Sequence, residues 1–362
     1  MSAAQKKKSM NAAGGTTAVE RTTAVEGKTA ADRVDATGAK ERVARRTDES
    51  VELLRRVLHG QTKGATGGRA GLLADVLDGI GRVSLGGKHL RARLVHIAAG
   101  PVDGAAADEA ILLGACVDLL HGAFLIHDDI IDRDDLRRGE ATIHAAVRDD
   151  LTGDGVDGDD AAHEGVSMGI IAGDLALVGV QQMILSSDLP DDRVRRALRI
   201  LGNAMTVTLG GEMMDIIHGA RPAGATSEAV RDSSWMKTSV YTFEAPLQLG
   251  AMVAGRDQAV MVPIGRDLGR AYQAADDLAG VFGATADTGK SAGGDVERGR
   301  TTLVTMREGG DADVIAEVIA EGREYLERAR DAIAAADLPA DVAEGLLGVA
   351  DSIEGSLVRY GR

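Results

Sequence analysis

The sequence predicts an all-α fold, a helical bundle, and three observations predict it. From Leu112 through Cys116, Leu119, Ala123 and Ile126 to Ile130, apolar residues recur at gaps of 4, 3, 4, 3 and 4, which is one face of a helix. Six prolines in 362 residues leave long helices uninterrupted. Aromatic residues are 2% of the chain against 44% hydrophobic, so the core must be mostly Ala, Leu, Val, Ile and Met. Packed helices tolerate that mixture better than a β-sandwich does. Strand-like and helix-like segments do not alternate, which argues against a parallel α/β sheet.

Residues 1–40 read as a disordered tail. They are rich in Ala, Thr, Gly, Lys and Glu and carry a small repeat, Thr16-Thr17-Ala18-Val19-Glu20 and Thr22-Thr23-Ala24-Val25-Glu26. Too few large apolar groups are present to offset the entropy of ordering. Residues 41–362 read as one large helical domain. Within it, residues 149–165 form an acidic, glycine-rich stretch with Asp154, Asp157, Asp159 and Asp160. It lacks the bidentate Glu of a calcium loop, and a solvated loop insertion is expected there.

Net charge is −15, from 56 acidic against 41 basic residues, a surface that repels nucleic acid and anionic membrane. The single cysteine, Cys116, rules out an intrachain disulfide and reads as core filler. No continuous apolar run reaches the roughly 18–20 residues of a membrane span, and the N-terminus lacks the form of a secretory signal. The expectation is a soluble, cytoplasmic protein without stable membrane insertion.

The periodic helix ends in Asp128-Asp129-Ile130-Ile131-Asp132. Asp128 and Asp132 are four apart, project from one face and repel each other by a few tenths of a kcal/mol. A divalent cation would compensate, and carboxylates completed by phosphate oxygens and water suit octahedral magnesium. Arg137-Arg138-Gly139 follows closely, and guanidinium forks bind phosphate oxygens well. An acidic helix end, with Asp134 and Asp135 bridged to these arginines, is the plain structural alternative. No Ser-His-Asp or Cys-His arrangement suggests nucleophilic catalysis.

The segment His121–Gly139, HGAFLIHDDIIDRDDLRRG, resembles the first aspartate-rich motif of the trans-isoprenyl diphosphate synthase (polyprenyl synthetase) family, in particular its short-chain bacterial geranylgeranyl and farnesyl members. Further elements match in order from about Glu41 to the C-terminus. Gly86-Gly87-Lys88-His89-Leu90-Arg91 resembles GGKxxR, Gly173-Asp174-Leu175 resembles GDLLL, and Lys237-Thr238 matches a Lys-Thr pair. Gln273-Ala274-Ala275-Asp276-Asp277-Leu278-Ala279-Gly280 resembles the second aspartate motif, with Gly280 where the common form has a third Asp. Glu212, in Gly211-Glu212-Met213-Met214-Asp215, replaces the usual glutamine, and Arg300 replaces a frequent lysine in a segment that begins at Gly289-Lys290.

The resemblance implies the isoprenoid synthase bundle around a central cavity, Mg2+ as cofactor, prenyl diphosphate substrates and a homodimer. It implies metal ligands among Asp128, Asp129, Asp132, Asp276 and Asp277. It assigns Lys88, Arg91, His121 and Arg138 to isopentenyl diphosphate, and Arg137, Lys237, Lys290 and Arg300 to the allylic diphosphate. Lys237, Thr238 and Gln273 take the catalytic positions. The implied reaction joins isopentenyl diphosphate to an allylic diphosphate, giving C15–C20 products with geranylgeranyl diphosphate favoured. Phe124 lies one turn before Asp128, with Ala123 beside it and Leu120 a further turn down, at about 5.4 Å per turn. These positions are expected to set chain length, Leu120 as a floor. A class I terpene cyclase and a non-catalytic partner subunit of another synthase remain alternatives. The cyclase would not need Lys88, Arg91 and Arg138, and Gly280 is the one feature that favours the partner subunit.

Overall fold

The computed structural model describes residues 30–62, 68–221, 226–282, 304–305 and 310–360. In chain order these form α1 (Ala30–Thr62), α2 (Gly68–Ser84), α3 (Leu90–Ala99) and α4 (Ala105–Ile131). A two-stranded antiparallel ribbon follows, β1 (Leu136–Arg137) and β2 (Glu140–Ala141), with Leu136 opposite Ala141 and Arg137 opposite Glu140. Then come α5 (Ile143–Gly153), α6 (Gly158–Leu185), α7 (Asp191–Ala220) and α8 (Ser227–Ser234). A π-helical stretch, Trp235–Glu244, runs straight into α9 (Ala245–Val253), followed by α10 (Met261–Phe282), α11 (Asp311–Ala335) and α12 (Ala340–Leu357). The all-α expectation holds.

Two apolar cores organise the bundle. The first surrounds α4, whose middle is buried on nearly every side: Leu113, Ala115, Cys116, Val117, Leu119, Leu120 and Ala123 are all inaccessible. A helix apolar all round belongs at the centre of a protein, and α1, α2, α3 and α6 pack around this one. The second core joins α10 to α11 and α12. Its stripe on α12, Val342, Leu346, Ala350, Ile353 and Leu357, follows the helical period and meets Leu268, Ala271 and Leu278 of α10. Phe243 of the π-helical stretch is fully buried there.

Three expectations are revised. Helix α1 begins at Ala30, inside the segment read as a tail; residues 1–29 lie outside the described residues. The arginines of α1 secure its later turns: Arg42 pairs with Asp341 of α12, and Arg46 donates to the Gly100 carbonyl at 2.9 Å. The acidic stretch 149–165 is mostly helix, with α5 ending at Gly153 and α6 starting at Gly158. Its acids start a helix. The Asp157 carboxylate accepts the Asp159 N–H at 3.0 Å, and Asp159 and Asp160 meet the positive end of the α6 dipole. Finally, α4 and α6 are each long and apolar enough to cross a membrane. The apolarity of α4 is used by the core, whereas α6 keeps Ile170, Ile171, Val178 and Leu185 exposed.

Candidate active site

A cavity of about 1780 Å³ is lined by residues of α3, α4, α7, the π-helical stretch and α10. Asp128, one turn from the end of α4, and Asp276, in the later turns of α10, both line it. A carboxylate near a helix C-terminus faces the negative end of the macrodipole, at a cost of about 0.3–1 kcal/mol. A cation between such groups reverses that cost.

Lys237 enters this acidic group from the π-helical stretch. Its ammonium lies 2.9 Å from Asp215 Oδ2, 2.9 Å from Glu212 Oε2 and 3.5 Å from Asp128 Oδ1. Burial lowers the ammonium pKa, but Asp128, Asp215 and Glu212 outweigh burial and raise it above the ordinary lysine value. Gly211 permits the close crossing of α7, since a Cβ there would stand 2.3 Å from the Lys237 backbone nitrogen. Thr238 lines the cavity beside the lysine. Arg137, on β1, donates to Asp129 Oδ1 through Nε at 2.7 Å, with Nη2 2.6 Å from the same oxygen and 3.5 Å from Asp128 Oδ2.

The basic group is built around a turn. Gly86 and Gly87 lie under the Arg138 guanidinium, and a Cβ at either position would come within 2.3 Å or 2.9 Å of its nitrogens. Gly87 has φ 103°; His89 and Arg138 adopt left-handed backbone at φ 49° and 54°. Lys88 is exposed on the cavity rim. Arg91 donates to the Tyr241 hydroxyl at 2.9 Å and to Thr242 Oγ1 at 2.8 Å, with its guanidinium 4.7 Å from the Tyr241 ring centre. The same hydroxyl lies 3.3 Å from His121 Nδ1. Burial first, and then Arg91, Arg137 and Arg138, hold the His121 pKa well below the usual imidazole value, so this histidine is neutral. Among the described residues neither Lys88 nor Arg138 has an ion-pair partner.

The structure thus brings Lys88, Arg91, His121, Asp128, Arg137, Arg138, Lys237, Thr238, Gln273, Asp276 and Asp277 to one cavity. Asp129 and Asp132 are not on its wall. Asp129 is buried against Arg137, and Asp132 closes the end of α4, its N–H donating to the Asp128 carbonyl at 2.8 Å. Asp277 is buried and accepts from Gln273 Nε2 at 2.7 Å. Phe124 lines the cavity and packs edge-on against Tyr241 with ring centres 4.9 Å apart. Ala123 and Leu120 are buried in the first core, off the cavity wall. Lys290 and Arg300 lie outside the described residues.

Sequence reasoning missed Tyr241 and Tyr272. Tyr241 stands four residues after Lys237, the spacing of one helix face, which was the available signal. Tyr272 also lines the cavity; the charge of Asp276, then burial, pushes its hydroxyl pKa up to about 12. Trp235 has a packing role, with Nε1 donating to Glu244 at 2.7 Å and the Arg266 and Arg270 guanidiniums over its ring.

Among the described residues no three acidic, histidine or cysteine side chains converge tightly enough to hold an ion by themselves. Asp128 and Asp276 offer two hard oxygen donors to the shared cavity. Magnesium is commonly held by one or two carboxylates, with substrate phosphate oxygens and water completing its shell. The donor set fits that ion.

The chain as a whole has counterparts among known proteins. A solved geranylgeranyl pyrophosphate synthase from Corynebacterium glutamicum, complexed with isoprenyl diphosphate and magnesium, superposes with a TM-score of 0.76 at 26% identity, covering 85% of this chain and 98% of that one. The (2E,6E)-farnesyl diphosphate synthase of Mycobacterium tuberculosis is 32% identical over 232 residues, 62% of this chain and 58% of that protein. A geranylgeranyl diphosphate synthase of the same species is 33% identical over 221 residues, 60% of this chain and 57% of that protein. The chain therefore spans under two thirds of the length of these curated relatives. The polyprenyl synthetase family model matches residues 75–335. That match takes in α4 and α10, which carry the two aspartate motifs, together with the arginine ribbon and the Lys237 stretch, and with it the chain belongs to the polyprenyl synthetase family.

Proposed function

We propose that this chain is a magnesium-dependent trans-prenyltransferase that joins isopentenyl diphosphate to an allylic diphosphate. The observation that carries the reading is one cavity lined both by the acids Asp128 and Asp276 with Lys237 and by the further cations Lys88, Arg91 and Arg138. Two diphosphates need two sites, and a cyclase with one substrate has no use for the second. The names of the relatives support the same chemistry.

In this reading Asp128 and Asp276 would hold Mg2+ beside the allylic diphosphate. When bound, magnesium supplies the positive charge that makes that diphosphate a better leaving group. Lys237 and Arg137 share the departing charge, and Thr238 and Gln273 flank the reacting end of the substrate. Lys88, Arg91 and Arg138 hold isopentenyl diphosphate so that its double bond faces the allylic carbon. Carbon–carbon bond formation then releases one proton, which the departing diphosphate takes, so no protein base is required. Asp129, Asp132 and Asp277 are assigned to the metal by family resemblance; Asp129 also holds Arg137, and Asp277 also accepts from Gln273. Lys290 and Arg300 are assigned to the allylic diphosphate by family resemblance.

Products of C15–C20 are proposed, geranylgeranyl diphosphate favoured, with Phe124 closing the wall. The test is purified protein with magnesium, isopentenyl diphosphate and each allylic starter, followed by chromatography of the dephosphorylated products. Products beyond C25 would defeat the short-chain reading, and no condensation with any starter would defeat the activity.

A cytoplasmic homodimer is part of the proposal. Its support is the exposed apolar face where α6 and α7 meet solvent, with Ile170, Ile171 and Val178 on one helix and Met213, Ile216 and Ile217 on the other. Large apolar side chains left exposed on two helices in this way are what an interface would cover. Met213, 62% exposed, tests it. Met213→Lys should shift the sedimentation of the protein toward that of a monomer, and unchanged sedimentation would move the interface elsewhere.

A further inference from the structure

We infer that Glu212 makes diphosphate binding at the acidic group conditional on divalent cations, by holding the Lys237 ammonium until they are present. The inference rests on the functional reading above and specifies the order in which its parts engage.

Lys237 is the cation that the π-helical stretch delivers into the acidic group, and an ammonium has three donors. Carboxylates of Glu212 and Asp215 sit 2.9 Å from it and Asp128 3.5 Å away, so three acids surround one ammonium. The side chains of Lys237 and Glu212 keep 20% and 16% of their exposure, and at such partly buried sites charge pairs are poorly screened. Arg137, the neighbouring cation, is committed to Asp129 and Asp128. A diphosphate arriving alone would compete with carboxylates for both of these described cations and meet the carboxylates' repulsion.

Glu212 differs from its neighbours in this ring. Asp128 has a second task in binding the ion, and Asp215 keeps the lysine in place by its own 2.9 Å contact. Glu212 adds one further negative charge at hydrogen-bond distance, and burial pushes its carboxyl pKa up, with Lys237 opposing that shift. Once the diphosphate and its counter-ions share Asp128, the ammonium is drawn off Glu212 toward the phosphate oxygens. Without counter-ions it stays. The residue therefore acts through Lys237 as a positioning residue, and it filters out metal-free diphosphates.

The probe is inorganic diphosphate, titrated calorimetrically into the full chain in EDTA and in magnesium. In EDTA wild type should bind one diphosphate, at the basic group, and magnesium should add a second at the acidic group. Glu212→Gln, which keeps the shape and removes the charge, should tighten binding of the second diphosphate in EDTA by about tenfold or more while changing it by less than about threefold in magnesium. Glu212→Ala should behave alike in EDTA if the glutamine variant proves unstable. Adding Lys237→Gln to Glu212→Gln should abolish the gain. Equal affinities of wild type and Glu212→Gln for the second diphosphate in EDTA would overturn the inference, as would a gain that survives loss of Lys237. Failure of wild type and variants alike to bind diphosphate in magnesium would overturn the functional reading and the inference with it.

Discussion

The acidic and basic groups of the cavity are neighbours built on opposite principles. In the acidic group both described cations are already satisfied, Lys237 by three carboxylates and Arg137 by two. In the basic group Lys88 and Arg138 have no acid partner among the described residues, and Arg91 is held by neutral hydroxyls of Tyr241 and Thr242. The difference separates two ways of binding the same anion. A preformed excess of positive charge takes a diphosphate directly, while a preformed excess of negative charge takes it only through a bridging ion. On the proposed function, one cavity would then hold two diphosphates without confusing them.

The strongest way to break this comparison is to remove an acid. Asp128→Ala and Asp276→Ala should each lower turnover by about a thousandfold while circular dichroism shows helicity retained. Near wild-type turnover at saturating magnesium in either variant would show that the acidic group is not the ion-binding side. Next in size, Arg138→Ala or Lys88→Ala should raise the KM for isopentenyl diphosphate about 10- to 100-fold. The allylic KM should move little, whereas Lys237→Ala should act mainly on the allylic partner. Steady-state kinetics with each substrate varied would decide, and equal effects on both would erase the division between the groups.

A smaller effect, on the product rather than the rate, should follow Phe124→Ala. Opening the wall beside Tyr241 should lengthen the product by at least one isoprene unit, read by chromatography, and an unchanged distribution would remove Phe124 as the ruler. The smallest effect sharpens the electrostatics of the basic group. His89 donates to Asp118 at 2.7 Å, and that hydrogen bond raises its pKa against the opposing effect of burial. A raised folded-state pKa contributes stability fully below the unfolded value near 6.5 and loses it as pH rises through the folded value. Asp118→Asn should therefore lower the melting midpoint more at pH 6 than at pH 9. Equal shifts at the two pH values would mean the pair is not charged.

Much of this was legible in the sequence because it is local. The period of α4 follows from side chains three and four apart, and the pairing of a DDxxD helix end with Arg137-Arg138 is confined to a dozen residues. The direction of Asp129 was not legible. It neighbours Asp128 in sequence but points a third of a turn away, where Arg137 from the ribbon captures it. The partners of Arg91 stand 150 residues further on, and nothing near GGKHLR announces Tyr241 or Thr242. The same limit hid the carboxylate ring around Lys237, because Asp128, Glu212 and Asp215 meet only after α4 and α7 pack. The acidic stretch 149–165 was misread for a different reason. Clustered acids suit a solvated loop and a helix start alike, and the Asp157 cap that decides between them is a matter of backbone geometry.

The left-handed backbone at His89 and Arg138 carries a consequence for the protein's history under selection. A non-glycine residue in that conformation gives up about 1–2 kcal/mol. His89 has a return for it in the bond to Asp118, whereas Arg138 has no acid partner among the described residues and glycine there would recover the cost. Selection for heat resistance alone, as in a laboratory library scored only for survival of the fold, should drift toward glycine at position 138 and discard the arginine. Such a library would need a catalytic screen running alongside the thermal one, because in this turn robustness and usefulness pull in opposite directions.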